Sequence, residues 1–455
     1  MEGARRAERE GGAAPSARSP ARSGSIQFGA SATRAPLVGE NRYLVTWEPN
    51  RVAIEGVLAV KPRLTGVKPA AEVVPGLASH VILHAAPPSE FAELSEVLRG
   101  GVIGAALFEG LATNVEDAER RLRDGRITLG AAQDHAAMAG GAGAITASTP
   151  VVVVEDPESG RRAFHFLMEG FGRSLILGMH GEDVFERLRW LRDEAAPSLD
   201  RALMELGGLD CDEIIVEALR RGDELHNRNA AATSMLAERL APGFASARLP
   251  TAVQERLFEF MRGNPQFFVA VSLAASRLAL DAGHGVAGST LVTAVGANGR
   301  ECGIKVSGLG EQWFTAPAET PQGVLLDGFT ADDAGPACGD SLLVECFGLG
   351  ASVLPAAPAL WPLLGVDEHR ARATFDDTCR IALAEHPRYR VPILDDRGAP
   401  TGIDLLRVLD TGIRPVIDIV MIHRQTGQGM IGFGLTSPPP ACFQQAAEAH
   451  RQRFG

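Results

Sequence analysis

The chain has 455 residues, of which 45% are apolar and 22% are charged, and its formal net charge is -12 at pH 7. This length is sufficient for two or three globular domains, and the composition excludes a mainly disordered chain. The negative charge argues against binding to nucleic acid or to an anionic membrane by general electrostatic attraction, so we expect neither as a partner.

Residues 1 to 38 are rich in Arg, Ala, Gly, Ser and Pro and poor in large apolar residues, which predicts a disordered tail. This segment lacks the apolar core of a signal peptide, and no run in the chain reaches the ~18 apolar residues of a membrane span. The six cysteines are scattered without a C-x-x-C pair. We therefore predict a cytoplasmic protein.

Residues 39 to 180 predict an N-terminal α/β domain. Its expected elements are strands at 43–47 (YLVTW), 80–84, 126–131 and 150–154, a helix within 90–112 interrupted by Gly100 and Gly101, and a helix that begins at Thr113 or Asn114. A glycine-rich loop at 133–143 separates two of the strands and would let the backbone approach a small ligand. It is not a dinucleotide loop, because no G-x-G-x-x-G motif opens a helix there.

Residues 181 to 263 predict a helical domain, with helices at 183–206, 212–222, 230–241 and 251–262. Residues 264 to 455 predict a C-terminal domain in which helices and strands are mixed. Its expected elements are a helix at 267–282, a hairpin of 289–297 and 301–307 through Asn298-Gly299, a helix at 367–385, a strand at 389–395, a short helix that starts at 401–404, and strands at 415–423 and 430–435. No regular βαβ period is present, which favours an α+β fold with a helical module in the middle.

The run at 221–229 (RGDELHNRN) concentrates polar groups between two predicted helices. Asn227 or Asn229 can cap the second helix, whose free N–H groups would then lie beside Arg228 and suit an anion. The alternative is that both asparagines only cap a helix, while Asp223, Glu224 and Arg228 form solvated surface pairs. We predict that residues 226 to 229 face an enclosed cleft that they share with the glycine-bearing turn near residue 135.

Several residue types in and near this run suit catalysis on a carbonyl or carboxylate substrate. An imidazole can act as a general base, amides polarise carbonyl oxygens and cations bind anions. The predicted catalytic residues are His226, His135 and Asn227. The predicted substrate-binding residues are Arg228, Asn229, Glu224, Asn264, Thr293, Lys305 and Trp313. Asp340 and Glu345 are further acidic candidates.

The sequence provides no metal-binding motif. Neither H-x-x-x-H nor H-E-x-x-H is present, so a metal site would have to be assembled from distant segments. The sequence contains no G-x-S-x-G elbow and no cysteine beside a histidine, so it does not indicate covalent catalysis. We therefore assign no metal ligands and no cofactor.

Seven segments resemble the AllG/YlbE-type proteins: 107–112 (LFEGLA), 222–229, 263–264, 289–294 (STLVTA), 303–318 (GIKVSGLGEQWFTAPA), 400–404 (PTGID) and 427–434. The resemblance covers roughly residues 80 to 448 and implies an α+β fold with a helical insertion. It implies a subunit of a carbamoyltransferase that moves a carbamoyl group between oxalurate and phosphate, giving oxamate and carbamoyl phosphate. The implied partners are an FdrA-like subunit and a third, smaller subunit, so we expect an oligomer.

The sequence departs from this family on both sides of His135, at Lys305 and in the arginine-rich N-terminal tail. Gln133 and Asp134 precede His135 where relatives often carry extra histidines, and Lys305 stands where arginine is common, which keeps the charge but loses the bidentate geometry. Two alternatives therefore stay open: a non-catalytic subunit that binds the partners, and a metal-dependent amidohydrolase of ureido or cyclic imide substrates.

Overall fold

The computed structural model describes residues 41–170 and 172–455, with side chains from residue 47 onward. These residues form one compact unit. The tail predicted for residues 1 to 38 lies outside the described residues. The division of the rest at 180/181 and 263/264 stays a prediction.

Fourteen α-helices occur in the described part of the chain: α1 Asn41–Ala59, α2 Ala70–Val73, α3 Glu96–Phe108, α4 Val115–Arg123, α5 Glu182–Trp190, α6 Ala196–Leu206, α7 Cys211–Arg220, α8 Ala230–Ser246, α9 Thr251–Gly263, α10 Val269–Ala282, α11 Trp361–Leu364, α12 Glu368–Ile381, α13 Leu405–Thr411 and α14 Pro440–Phe454. The stretch Leu191–Ala195 is a π-helical turn that joins α5 to α6. Short 3-10 turns fill most of 341–360.

The described strands are short: β1 Arg63–Pro69, β2 Val81–His84, β3 Thr128–Ala131, β4 Ala137–Met138, β5 Pro150–Glu155, β6 Arg162–Phe166, β7 Leu209–Asp210, β8 Val292–Asn298, β9 Glu301–Val306, β10 Phe314–Pro317, β11 Gln322–Leu325, β12 Cys338–Gly339, β13 Ala382–Val391, β14 Arg397–Ile403, β15 Ile417–Ile422 and β16 Met430–Thr436. They form sheets in the orders β4-β6-β5-β1-β7, β10-β9-β8-β12 and β11-β16-β15, and the pairs β13-β14 and β2-β3. Most pairings are antiparallel and helices surround several small sheets, so the fold is α+β, as predicted.

Local signals placed many of these elements correctly. Asn114 caps α4 by accepting a hydrogen bond from the Asp117 N–H at 2.8 Å. The β8–β9 hairpin turns at Gly299, whose φ of +77° is the left-handed conformation that such a turn requires. Asp404 caps α13, and the predicted strands at 415–423 and 430–435 are β15 and β16.

Two predictions of secondary structure were wrong because of a partner element. Residues 43–47 are not a strand but part of α1, whose helix continues past Pro49 and packs on α10. The helix predicted to reach residue 385 ends at Ile381, because the chain then pairs as β13 with β14. In both places the partner element overrides the local preference of the sequence.

Gly100 and Gly101 do not interrupt α3, contrary to expectation. A Cβ at Gly101 would overlap the carbonyl oxygen of Ala142, and one at Gly100 would overlap that of Gly178. The two glycines therefore allow α3 to pack directly against the backbone of two loops. One of these loops is the glycine-rich loop, which α3 thus helps to position.

The largest hydrophobic cluster draws on residues from all three of the segments that the sequence analysis predicted. It contains Val57 and Leu64, Leu199 and Leu236, and Phe268 and Ile403, along with many others. At its centre lies α10, which is buried along almost its whole length. None of the helices that the structure describes combines the length and the apolar character that a membrane span requires.

Candidate functional site

The 222–229 turn connects α7 to α8 through two left-handed residues. Gly222 has a φ of +94° and Leu225 a φ of +73°, which is uncommon for a residue with a branched side chain. Leu225 is held there by its N–H, which donates to the Arg228 carbonyl at 3.1 Å, and by its carbonyl, which accepts from Ser272 Oγ at 2.9 Å. This conformation turns the following side chains into the protein.

The anion at the N-terminus of α8 is the protein's own carboxylate. Asn229 occupies the cap position, but its side chain bonds the His226 carbonyl and Gln266 instead. Asp223 Oδ2 accepts from the Ala232 N–H at 2.9 Å, and Arg228 Nε lies 3.4 Å from Asp223 Oδ1. Because Asp223 already accepts a hydrogen bond at this helix end, the N-terminus of α8 is not free to bind an external anion.

His226 lies among three carboxylates that are fully buried. Its Nδ1 is 2.9 Å from Glu345 Oε1 and 3.5 Å from Asp418 Oδ1. Asn227 Nδ2 donates to Asp418 Oδ2 at 2.8 Å. The third carboxylate, Glu224, accepts from the backbone N–H groups of His226 and Arg228.

Burial and mutual repulsion shift the protonation of these groups. Burial would lower the pKa of His226, but the Glu345 and Asp418 carboxylates outweigh it and raise that pKa well above the ordinary value. Burial raises the pKa of Glu345 to about 8 and also raises that of Glu224. The pKa of Asp418 is lowered, because the bonds from His226 and Asn227 outweigh burial. The surrounding carboxylates therefore favour the protonated form of His226.

His226 and Asn227 line a cavity of about 430 Å³. Gly140 and Gly141, from the glycine-rich loop, form another part of the same wall. Asp340 holds that loop by accepting from the Ala139 N–H at 2.8 Å, and it also accepts from Gln133 at 2.6 Å. Two of the four residues in 226–229 thus share a cavity with the loop, whereas Arg228 and Asn229 do not line it.

His165 is a second imidazole at the cavity wall. Its Nδ1 lies 2.6 Å from the Phe166 carbonyl, so Nδ1 carries the proton and donates. Its Nε2 has no hydrogen-bond partner among the described residues, and a Cβ at Gly140 would lie 3.3 Å from it. Burial lowers the pKa of His165 to about 4. The ring is therefore neutral and offers an acceptor.

Asn264, one of the predicted substrate-binding residues, also lines the cavity. Its Nδ2 donates to the Met168 carbonyl at 3.0 Å, and its Oδ1 has no partner in the described structure. Gln266 lines the same wall and bonds Asn229. These amides connect the cavity wall to the 222–229 turn.

Thr293, Lys305 and Trp313 belong to a different cluster, which does not line this cavity. Lys305 is 1% exposed and lies 2.6 Å from Asp134 Oδ1 and 2.5 Å from Glu311 Oε2, with the Trp313 ring 5.1 Å from Nζ. Thr293 Oγ1 lies 2.6 Å from His284 Nδ1. Ion pairs and ring contacts within the protein thus engage the groups that we predicted to bind substrate.

His135 is also separate from the cavity. It is half-buried, and its Nδ1 lies 2.7 Å from the Pro75 carbonyl. Only the later glycines of the same loop reach the cavity wall.

Several residues of the site were not predicted from sequence. Asp418 interrupts the otherwise apolar strand β15, and a charge in such a strand is a signal that we could have used. His165 lies on β6, a strand that we did not predict. Arg173 is the one arginine among the described cavity-lining residues, which include no lysine. Its Nε donates to Asp183 Oδ2 at 2.9 Å. No pattern in the sequence distinguishes Arg173 from the many other arginines.

Comparisons with known proteins identify the family. A family model described as oxamate carbamoyltransferase subunit AllG matches residues 127–341. The oxamate carbamoyltransferase subunit AllG of Escherichia coli (strain K12) is 36% identical over 412 residues, which cover 90% of this chain and 98% of that protein. The chain belongs to the AllG family. The resemblance found in the sequence is thereby confirmed.

Other relatives of this AllG-family chain have no assigned activity in their names. The uncharacterized protein YahG of Escherichia coli (strain K12) is 36% identical over 89% of this chain and 86% of its own length. A crystal structure of a conserved protein of unknown function from Enterococcus faecalis V583 matches with a TM-score of 0.89 and 36% identity, covering 91% of this chain and 99% of that chain. The α+β fold of the AllG-family chain is therefore one already seen by crystallography.

Proposed function

We propose that this chain is a subunit of a carbamoyltransferase complex that transfers a carbamoyl group between an oxalurate-like ureido acid and phosphate. The products are an oxamate-like amide acid and carbamoyl phosphate. The proposed partners are an FdrA-like subunit and a third, smaller subunit. Membership of the AllG family supports the reaction class, and the 430 Å³ cavity supports a role for this chain in substrate binding.

The observation that carries the proposal is a pair of unpartnered acceptors at the cavity wall, Asn264 Oδ1 and His165 Nε2. A buried acceptor without a donor costs about 1–3 kcal/mol, so a ligand that supplies N–H groups is favoured there. A ureido acid presents N–H donors at one end and a carboxylate at the other. Arg173, which also lines the cavity, suits the carboxylate or the phosphate.

The reaction requires a polarised carbonyl and a proton acceptor. A phosphate oxygen attacks the ureido carbonyl carbon, the bond from this carbon to the amide nitrogen breaks, and the nitrogen gains the proton that phosphate loses. We assign carbonyl polarisation to Asn227 and His226, and proton transfer to the neutral ring of His165. His135 receives no role in this assignment, because it lies outside the cavity.

Reconstitution of the three subunits tests the proposal by measuring carbamoyl phosphate formed from oxalurate and phosphate. We expect H226N and H165N each to lower turnover by about 100-fold or more, the usual effect of losing a group that polarises the carbonyl or a general base. The matched control H135N removes a histidine of the same chain outside the cavity and should stay within about twofold of wild type. Full turnover by both H226N and H165N, in complexes that assemble normally on gel filtration, would contradict the assignment.

One observation favours a second function, in which the chain only binds its partner subunits. Much of the cavity wall is apolar, from side chains that include Met168, Ile176, Leu177, Val269, Leu273 and Phe433. Such a surface also suits an apolar segment of another protein. Calorimetry with the isolated chain separates the two: binding of oxalurate or carbamoyl phosphate supports a substrate site, and its absence favours the partner-binding role.

A further inference from the structure

The His226, Glu345 and Asp418 side chains converge within the protein from segments far apart in sequence. One potential ligand atom from each lies within 4.8 Å of the other two. Two of the separations are 2.9 Å, from His226 Nδ1 to Glu345 Oε1, and 3.5 Å, from His226 Nδ1 to Asp418 Oδ1. Neighbouring ligands of a metal held at about 2.1 Å are about 3.0–3.4 Å apart, so these separations fit the edges of a coordination polyhedron.

A second observation points to a missing ligand. Glu345 and Asp418 are both 0% exposed, yet Glu345 Oε2 and Asp418 Oδ1 have no hydrogen-bond partner among the described residues. Glu224 and Asp340 differ, because both oxygens of each accept hydrogen bonds, and the unpartnered Asp223 Oδ1 lies 3.4 Å from Arg228 Nε. A buried anionic oxygen without a donor is costly unless a cation or a proton compensates it.

The backbone also leaves space beside these oxygens. Gly350 has a φ of +59°, and a Cβ there would overlap Glu345 Oε1 and lie 3.2 Å from Asp418 Oδ1. Of the three cluster residues, His226 also lines the cavity. Glycine at this position therefore keeps one side of the cluster open.

We propose that His226, Glu345 and Asp418 bind one divalent transition-metal cation, such as Mn²⁺ or Zn²⁺, at the wall of the cavity. One imidazole and two carboxylates suit this borderline group of cations better than Mg²⁺ or Cu⁺. Three protein ligands leave at least one position open, as in catalytic metal sites, and a cation bound there would polarise a carbonyl oxygen. Metal binding is measured without turnover, so this proposal does not depend on the carbamoyl-transfer proposal.

Elemental analysis of the untagged, full-length chain tests the proposal. The protein is stripped with a chelator, incubated with MnCl₂ or ZnCl₂ and desalted. We expect about one equivalent of at least one metal per chain, and at least tenfold weaker binding by E345Q and by D418N. The matched control D404N alters a buried carboxylate of α13 that does not belong to the cluster, and it should bind metal as wild type does.

The proposal is overturned if wild type binds less than 0.1 equivalent of both metals, or if E345Q and D418N both bind metal as wild type does. If these variants do not fold, the metal content of wild type alone still tests the proposal. Electron spin echo modulation of the Mn²⁺-loaded chain should show a directly bound histidine nitrogen. Bound Mn²⁺ without that signal would also overturn the site.

Discussion

At the scale of single residues, His386 is a buried histidine that must stay neutral. Its ring is fully buried on β13 and stacks on Tyr389, with the ring centroids 3.8 Å apart. Nδ1 accepts from the N–H groups of Arg388 and Tyr389, and Nε2 has no partner among the described residues. Burial, aided by the charges of Arg388 and Arg390, lowers the pKa of His386 to about 3. The folded state therefore resists protonation of this ring.

We predict that His386 makes the protein less stable in mild acid. The folded pKa lies below the unfolded value of about 6.5, so the stabilisation is complete above that value and is lost as the pH falls towards 3. At pH 5 the loss is about 2 kcal/mol relative to pH 7. The variant H386N does not titrate, and its side-chain oxygen can accept the same N–H bonds. Urea unfolding at pH 7 and pH 5 should therefore show a loss about 2 kcal/mol smaller for H386N than for wild type.

The control for this experiment is H369N, which removes an exposed histidine at the start of α12. It should show the same pH dependence as wild type. An equal loss of stability in wild type and H386N between pH 7 and pH 5 would show that His386 does not govern this dependence.

At the scale of elements, the contact between α3 and the glycine-rich loop depends on the missing side chain of Gly101. A methyl group there would overlap the Ala142 carbonyl oxygen, next to the cavity-lining Gly141. We predict that G101A lowers the free energy of unfolding by about 2–3 kcal/mol, since the backbones must separate to admit the methyl group. Chemical denaturation measures this change.

The matched control is G263A, at the end of α9, where nothing lies within 4 Å of a Cβ. Alanine should be neutral there or should stabilise the protein by about 0.5 kcal/mol, because it restricts the unfolded chain more than glycine does. Similar effects of the two substitutions would mean that close packing does not require glycine at position 101.

At the scale of the whole molecule, the shared hydrophobic cluster joins the three segments that the sequence divides at 180/181 and 263/264. We predict that these segments unfold together, in one calorimetric transition, because separating any of them would expose part of the common core. L236A, in the helical segment, should lower the midpoint of that single transition, since it leaves a cavity that costs about 2–5 kcal/mol. A separate transition that alone responds to L236A would instead favour independent domains.

Turns, caps and the α+β class were predictable from the sequence, because they depend on residues a few positions apart. Asn114, Asp404 and the Asn298-Gly299 pair act on their immediate neighbours, and the structure shows them as expected. The run at 221–229 was also recognisable, since its polar side chains stand out between two amphipathic helices.

The composition of the site was decided only by tertiary structure. His226 meets Glu345 across 119 residues of chain, and Asn227 meets Asp418 across 191 residues. The packing of the elements also places Lys305 and His135 outside the cavity and His165 at its wall. Periodicity indicates which face of an element is buried and capping residues indicate where a helix begins, but the residues that contact that face depend on how all the elements pack. The sequence alone therefore shows the candidate groups of this site, but it does not show which of them come into contact.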